Sequence, residues 1–179
     1  MQSALARCAA GDRPAFAEIV QEYQALVFSI ALHYSQDRSL AEDLAQEVFL
    51  ELYQNISAIQ SADHMTYWLR RVTVNRCIDH GRRKKHRRES ALEDSPEPAT
   101  AETNSDPLLL DRLRQSLSAL PERQRMMVVL RYQEGLGPGE IAELLEMPVN
   151  TVKSTLHRTL DDLRKKLTRK LGGVRYAIF

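Results

Sequence analysis

Cysteine is scarce in this 179-residue chain, where Cys8 and Cys77 are the only two. Two thiols cannot build a disulfide scaffold or a four-cysteine zinc site. Neither has a Cys or His partner at metal-ligand spacing, so both read as buried, inert thiols in a reducing cytoplasm, with no metal and no cofactor. Glycine is sparse as well, at seven residues. The seven form no Walker or dinucleotide-binding loop, which argues against nucleotide hydrolysis. His33, His80 and His86 belong to no nucleophile–base arrangement, so neither catalysis nor a small-molecule substrate is expected. The longest charge-free apolar stretch, Tyr23 to Gln36, is short for a bilayer span and carries Ser29, His33 and Ser35, so no membrane insertion is expected. Arg7 and Asp12 interrupt the N-terminal stretch before a signal-peptide core could form. An excess of charge of one sign is missing too: 25 Lys plus Arg face 24 Asp plus Glu, a net +1. Taken by itself, that total argues against a polyanionic partner.

The order of the charges reverses that inference. Residues 1–69 carry a net −6, residues 70–88 a net +8, residues 89–111 a net −7 and residues 112–179 a net +6. Four alternating zones of this size point to polyanion contact at the two basic ones. The second acidic zone also reads as a linker. Residues 89–106 contain prolines, Ser and Thr and almost no large apolar side chain, too little to offset the entropy of ordering the chain. The expected organisation is a first domain over 1–88, an acidic linker over 89–106, a second domain over 107–171 and a tail over 172–179.

No stretch alternates with period two, and Gly and Pro fall at helix ends, so both domains read as all-α. Asp12 and Pro14 start a helix that places Phe16, Ile19, Val20, Tyr23, Leu26, Val27 and Ile30 on one face. Ser39-Leu40-Ala41-Glu42 has the form of a capping box and opens a helix to about Gln54. Its buried stripe is Ala41, Leu44, Ala45, Val48 and Leu52, which leaves Asp43, Gln46, Glu47 and Leu50 facing outward. A third helix runs from about His64 into the basic zone over Met65, Leu69, Val72 and Ile78. Past the linker, Pro107 starts a helix with Leu110, Leu113, Leu117 and Leu120 inward. Glu122–Tyr132 follows and stops at Gly135.

The end of the chain reads as a short helix over Pro138–Leu145, a break at Met147-Pro148, and a long helix with Val149, Val152, Leu156, Leu160, Leu163 and Leu167 on one stripe. Short helix, tight turn, longer helix fits a DNA-binding helix-turn-helix and equally a plain α-hairpin. In the first case the outward residues at the start of the last helix meet base edges: Asn150, Thr151, Lys153, Ser154, Thr155, His157 and Arg158. Asn suits adenine, Lys and Arg suit guanine or phosphate, and a Thr methyl can touch thymine. Asp161 and Asp162 repel DNA, so such a surface ends near Arg158.

Four motifs in order settle more than any one alone: Leu40–Tyr53, Tyr67–Lys85, Leu120–Tyr132 and Glu140–Leu167, with the acidic linker between the second and third. Together they resemble the extracytoplasmic-function sigma factors, small specificity subunits of bacterial RNA polymerase, over most of the chain. The resemblance implies that Asp43, Gln46, Glu47 and Leu50 dock on the clamp helices of core polymerase. It places Asn55, Ser61, His64 and Tyr67 around an unpaired base of the −10 element. Arg70, Arg71, Asn75, Arg76, Asp79, Arg82 and Arg83 follow along the next helix, the arginines on phosphates. Trp68 reads as core rather than as a stacking platform. The helix-turn-helix then reads the −35 element while its other side meets the polymerase flap, and the linker threads toward the RNA exit path. An inhibitory anti-sigma factor is also implied.

Some positions depart from the family pattern. Glu146 and Asn150 stand where Gly is common, Thr155 where Arg is frequent, Gly139 where a larger residue is usual, and Met65 where an aromatic borders the base-capture pocket. Three other readings compete. A decoy that only sequesters an anti-sigma factor has no need of the +8 zone. A stand-alone repressor or activator leaves the outer face of Leu40–Tyr53 and the linker unexplained. An enzyme lacks a catalytic constellation.

Overall fold

A computed structural model describes residues 2–9, 11–90 and 107–170, and among them every regular element is helical. The chain divides into two compact units, at His86 and Arg87. The acidic segment 91–106, the tail 172–179 and the side chains of Arg88 and Leu110 lie outside the described residues.

The first unit opens with α1 (Gln2–Ala9), a helix too short to stand out by periodicity. Gly11 then turns the chain at φ 94°. Arg7 pins α1 to the next helix, reaching Asp12 at 2.8 Å and Glu18 at 3.1 Å. Helix α2 (Arg13–Ser35) begins as expected, with Asp12 capping the Ala15 N–H at 3.4 Å and Pro14 in the first turn. By length and composition alone α2 could cross a membrane. Its apolar face is instead taken up by the protein core, where Ala15, Ile19, Val27, Ile30 and Ala31 are fully buried.

Helix α3 (Arg38–Asn55) starts earlier than the Ser39 capping box requires. Asp37 is the cap, accepting the Leu40 N–H at 3.1 Å. Glu42 turns away from the backbone and pairs with Arg38 at 2.9 Å. An ionised carboxylate at position 37 meets the same exposed N–H groups as a Ser hydroxyl and complements the helix dipole better. A 3-10 turn (Ile56–Ala58) leads to α4 (Ala62–Ser90). Helix α4 therefore continues past residue 88, through the first two positions of the expected linker. Met65, Leu69, Val74 and Cys77 are buried along it, and Trp68 packs half-buried against the core. Cys8 and Cys77 are both buried and form no disulfide. Burial pushes the Cys77 thiol up to about 12, which leaves it unreactive.

The second unit comprises α5 (Pro107–Ser118), α6 (Glu122–Tyr132), α7 (Pro138–Leu145) and α8 (Val149–Lys170). Its core is built from Leu120, Met126, Met127, Leu130, Leu136, Ile141, Leu144, Leu145, Val152, Leu156, Leu163 and Leu167. Val149, expected on the buried stripe, is 41% exposed because it begins α8 ahead of the first packed turn. The join between α5 and α6 is closed by Arg125, whose guanidinium donates to the Leu117 carbonyl at 3.1 Å, Ser118 at 2.5 Å and Leu120 at 3.3 Å. The Leu117 and Ser118 carbonyls are among those the end of α5 leaves without intrahelical partners, and the Leu120 carbonyl lies in the turn before α6.

Candidate nucleic-acid interface

The turn between α7 and α8 sets the angle at which α8 is presented. Glu146 ends α7 in the left-handed region at φ 51°. Its N–H donates to the Glu143 carbonyl at 3.3 Å, while the Met147 N–H reaches back to Ala142 at 2.9 Å. This is a Schellman closure in which the left-handed position would usually be Gly. The chain closes this turn with a side chain at the left-handed position and bears the backbone strain of it. Replacing Glu146 by Gly is expected to stabilise the second unit by about 0.5–1 kcal/mol, since a left-handed side-chain penalty of ~1–2 kcal/mol is partly offset by glycine's chain entropy. Urea denaturation of the two forms measures it. Asn150 needs no such geometry, since it lies inside α8. A Cβ at Gly139 meets nothing within 4 Å, so the larger family residue is absent for no steric reason.

The start of α8 faces solvent. Asn150, Thr151, Lys153, His157 and Arg158 are exposed, whereas Ser154 and Thr155 are half-buried. The Ser154 hydroxyl donates back to the Thr151 carbonyl at 3.1 Å. Asp161 lies 3.9 Å from Arg164, which partly compensates its charge, and 3.4 Å from the His157 ring, while Asp162 is exposed. Arg164, Lys165 and Lys166 are exposed farther along α8, so basic surface resumes past the two aspartates.

In the first unit, Tyr67, Arg71, Asn75, Asp79 and Arg83 are spaced by four along α4 and form one ridge on its outer side. Tyr67, Asn75, Asp79 and Arg83 are exposed and Arg71 is half-buried. Arg71 donates to the Tyr67 hydroxyl at 3.4 Å, which sets a guanidinium beside an aromatic ring, a pairing suited to an unstacked base. Arg70 is half-buried beside them, and its Nε is buried without a hydrogen-bond partner among the described residues. Arg82 is exposed, 3.8 Å from Asp79.

Other expected contacts are engaged locally. The Ser61 hydroxyl accepts the His64 N–H at 3.1 Å and caps α4, and the His64 ring accepts the Gln60 N–H at 3.3 Å. The Asn55 amide donates to the Glu51 carbonyl at 2.8 Å and is otherwise exposed. Met65 is fully buried, so position 65 faces the core and does not border an open pocket. Arg76 is drawn away from the ridge. It donates to Glu51 on α3 from Nε at 3.1 Å and Nη2 at 2.6 Å, with Glu47 at 3.8 Å. The hydrogen bond to Glu51 raises the guanidinium pKa against an opposing effect of burial, and the charges of Glu51, Glu47 and Asp79 add to it.

On α3, Asp43, Gln46, Glu47 and Leu50 are all exposed, Leu50 by 60%. Tyr53, which the sequence reading passed over, extends the apolar part of this face at 47% exposure. Its ring meets Phe16 edge-on at 5.0 Å and 78°. The signal was present in its spacing of three from Leu50.

A helical unit with an acidic, apolar-tipped face and a basic ridge, followed by a helical unit ending in a helix-turn-helix, defines a sigma-70-type transcription initiation factor. Sigma-70 region 2 matches residues 19–87 and Sigma-70 region 4 matches residues 110–163. The chain is 31% identical over 172 residues to the ECF RNA polymerase sigma factor SigW of Bacillus subtilis, covering 88% of this chain and 91% of that one. It is 30% identical over 170 residues to the ECF RNA polymerase sigma-E factor of Escherichia coli, covering 88% of each. The fold matches the sigma factor RpoE of Bartonella quintana, solved in complex with the anti-sigma factor NepR, at a TM-score of 0.68 and 19% identity, over 89% of this chain and 98% of that one. The protein belongs to the extracytoplasmic-function RNA polymerase sigma factors, which direct core polymerase to promoters.

Proposed function

We propose that this sigma factor docks on the clamp helices of core polymerase through Asp43, Gln46, Glu47 and Leu50. Tyr67, Arg70, Arg71, Asn75, Asp79, Arg82 and Arg83 address the −10 element, with Asn55, Ser61 and His64 at its margin. Asn150, Thr151, Lys153, Ser154, Thr155, His157 and Arg158 read the −35 element, and the far side of the second unit meets the flap. The observation that carries this reading is the segregation of the first unit: α3 presents carboxylates around an exposed leucine, and α4 presents arginines and an exposed aromatic ring. A basic protein partner and a nucleic acid are the complementary occupants.

Opening DNA in this scheme needs no catalysis. Extruding a base costs a few kcal/mol, which contacts to the captured base offset, so the protein acts as a specificity subunit and not as an enzyme. It works in the cytoplasm, where the polymerase is. An anti-sigma factor holds it inactive by covering the polymerase-binding face of α3, where Leu50 and Tyr53 are exposed.

The test is in vitro transcription from a random-fragment library with purified core polymerase, with and without the full chain. Promoter-specific transcripts that depend on the chain are expected. Their absence alongside tight binding of an anti-sigma factor would instead identify a decoy.

A further inference from the structure

Arg76 lies in the most basic segment of the chain, where a phosphate contact is the natural expectation. Its surroundings oppose one. Two nitrogens of the guanidinium converge on Glu51 Oε2, at 3.1 and 2.6 Å, and Glu47 Oε2 lies 3.8 Å from the third. Glu47 and Glu51 are one turn apart on α3, and Arg76 reaches them from α4. One positive and two negative groups sum to −1, so an approaching phosphate meets net repulsion. The neighbours differ among the described residues: Arg82 has a single carboxylate partner, Asp79 at 3.8 Å, and Arg83 is exposed on the outer ridge. The pair is also partly withdrawn from water, with side-chain exposures of 39% for Arg76 and 31% for Glu51. A guanidinium donating twice to a carboxylate constrains orientation as well as distance.

We propose that Arg76 is a positioning residue that locks the DNA-facing α4 against the polymerase-facing α3, and that it makes no phosphate contact. Its effect on promoter opening then passes through the packing of two helices. The proposal rests on the assignment of α3 to polymerase and α4 to DNA, and its test is built to separate the two.

The first measurement needs no polymerase. Thermal unfolding of the full chain is followed for Arg76→Gln, Glu51→Gln and the double variant. Each single change is expected to lower the first transition by about 2–4 °C, and the double by no more than either single. Additive losses would overturn the lock. The second measurement uses holoenzyme on a promoter fragment selected by the wild-type protein. Arg83→Gln is expected to reduce the slope of log affinity against log salt by about 0.9, and Arg76→Gln to leave it unchanged. A fall of about 0.9 for Arg76→Gln would overturn the proposal.

Charge exchange gives the third readout. Arg76→Glu alone is expected to slow promoter opening at least tenfold, and Arg76→Glu with Glu51→Arg to restore it to within about threefold. A DNA-contacting arginine would not be rescued from α3, so failure to restore opening in a folded double variant would also overturn the proposal. Should the wild-type chain yield no promoter-specific transcripts, the functional assignment fails, and the unfolding cycle still decides whether the lock exists.

Discussion

Replacing Leu50 by Glu is expected to lower affinity for core polymerase by about 100-fold while leaving the unfolding transition within about 2 °C of wild type. The folded chain does not depend on this side chain. Leu50 is 60% exposed, and the stripe that packs α3 consists of Ala41, Leu44, Val48 and Leu52. A surface substitution away from caps and cores changes stability by about 0.5 kcal/mol or less. An apolar anchor at the centre of an interface is different, since its loss costs about 2 kcal/mol or more, and burying a new carboxylate adds desolvation. Together these approach 3 kcal/mol, which corresponds to about 100-fold.

Neutralising Asp43 and Glu47 is expected to act another way. Both are exposed, so their removal slows association about 3–10-fold at low salt and has little effect at high salt. Fluorescence anisotropy of labelled protein titrated with core enzyme measures both effects. Undiminished binding by the Leu50 variant would remove α3 from the interface.

The contrast between Leu50 and Arg76 shows what a sequence can carry about such a site. Leu50 was legible because helical periodicity separates a buried stripe from an outer face, and an apolar residue on the outer face is conspicuous. The same logic placed the core of α2 and the exposed start of α8. Arg76 was not legible. Its partners Glu47 and Glu51 lie 29 and 25 positions earlier, and only the packing of α3 against α4 brings them within 4 Å. Local competition hid other features. Ser39 and Glu42 form a valid capping box, but Asp37 is also a valid cap and its carboxylate wins the helix start. Ser61 and His64, whose types suit DNA, are engaged at the start of α4. Arg125 is one more arginine in a basic region by composition, and in the fold it closes the end of α5.

Neutralising Arg82, Arg83 and Lys84 together to Gln is expected to give the largest change in DNA binding, and its dependence on salt identifies the cause. All three side chains are exposed near the end of α4, and Arg82 has the Asp79 carboxylate at 3.8 Å. Each basic residue that neutralises a phosphate releases condensed counterions and adds about 0.9 to the slope of log affinity against log salt, so three contacts account for about 2.7. Over a fourfold rise in salt, from 50 to 200 mM, that difference amounts to about 40-fold in affinity. The variant should therefore fall furthest behind wild type at 50 mM and recover most of the gap at 200 mM. Loss of a base-reading residue would instead lower affinity for its own promoter by a similar factor at both salt concentrations. A slope reduced by less than about 1 would mean that this run faces solvent in the open complex. The chain's net charge of +1 is silent on all of this, because the field that a phosphate meets is set within a Debye length of about 8–10 Å. At that range the end of α4 is strongly basic, and the acidic face of α3 can serve a different partner at the same time.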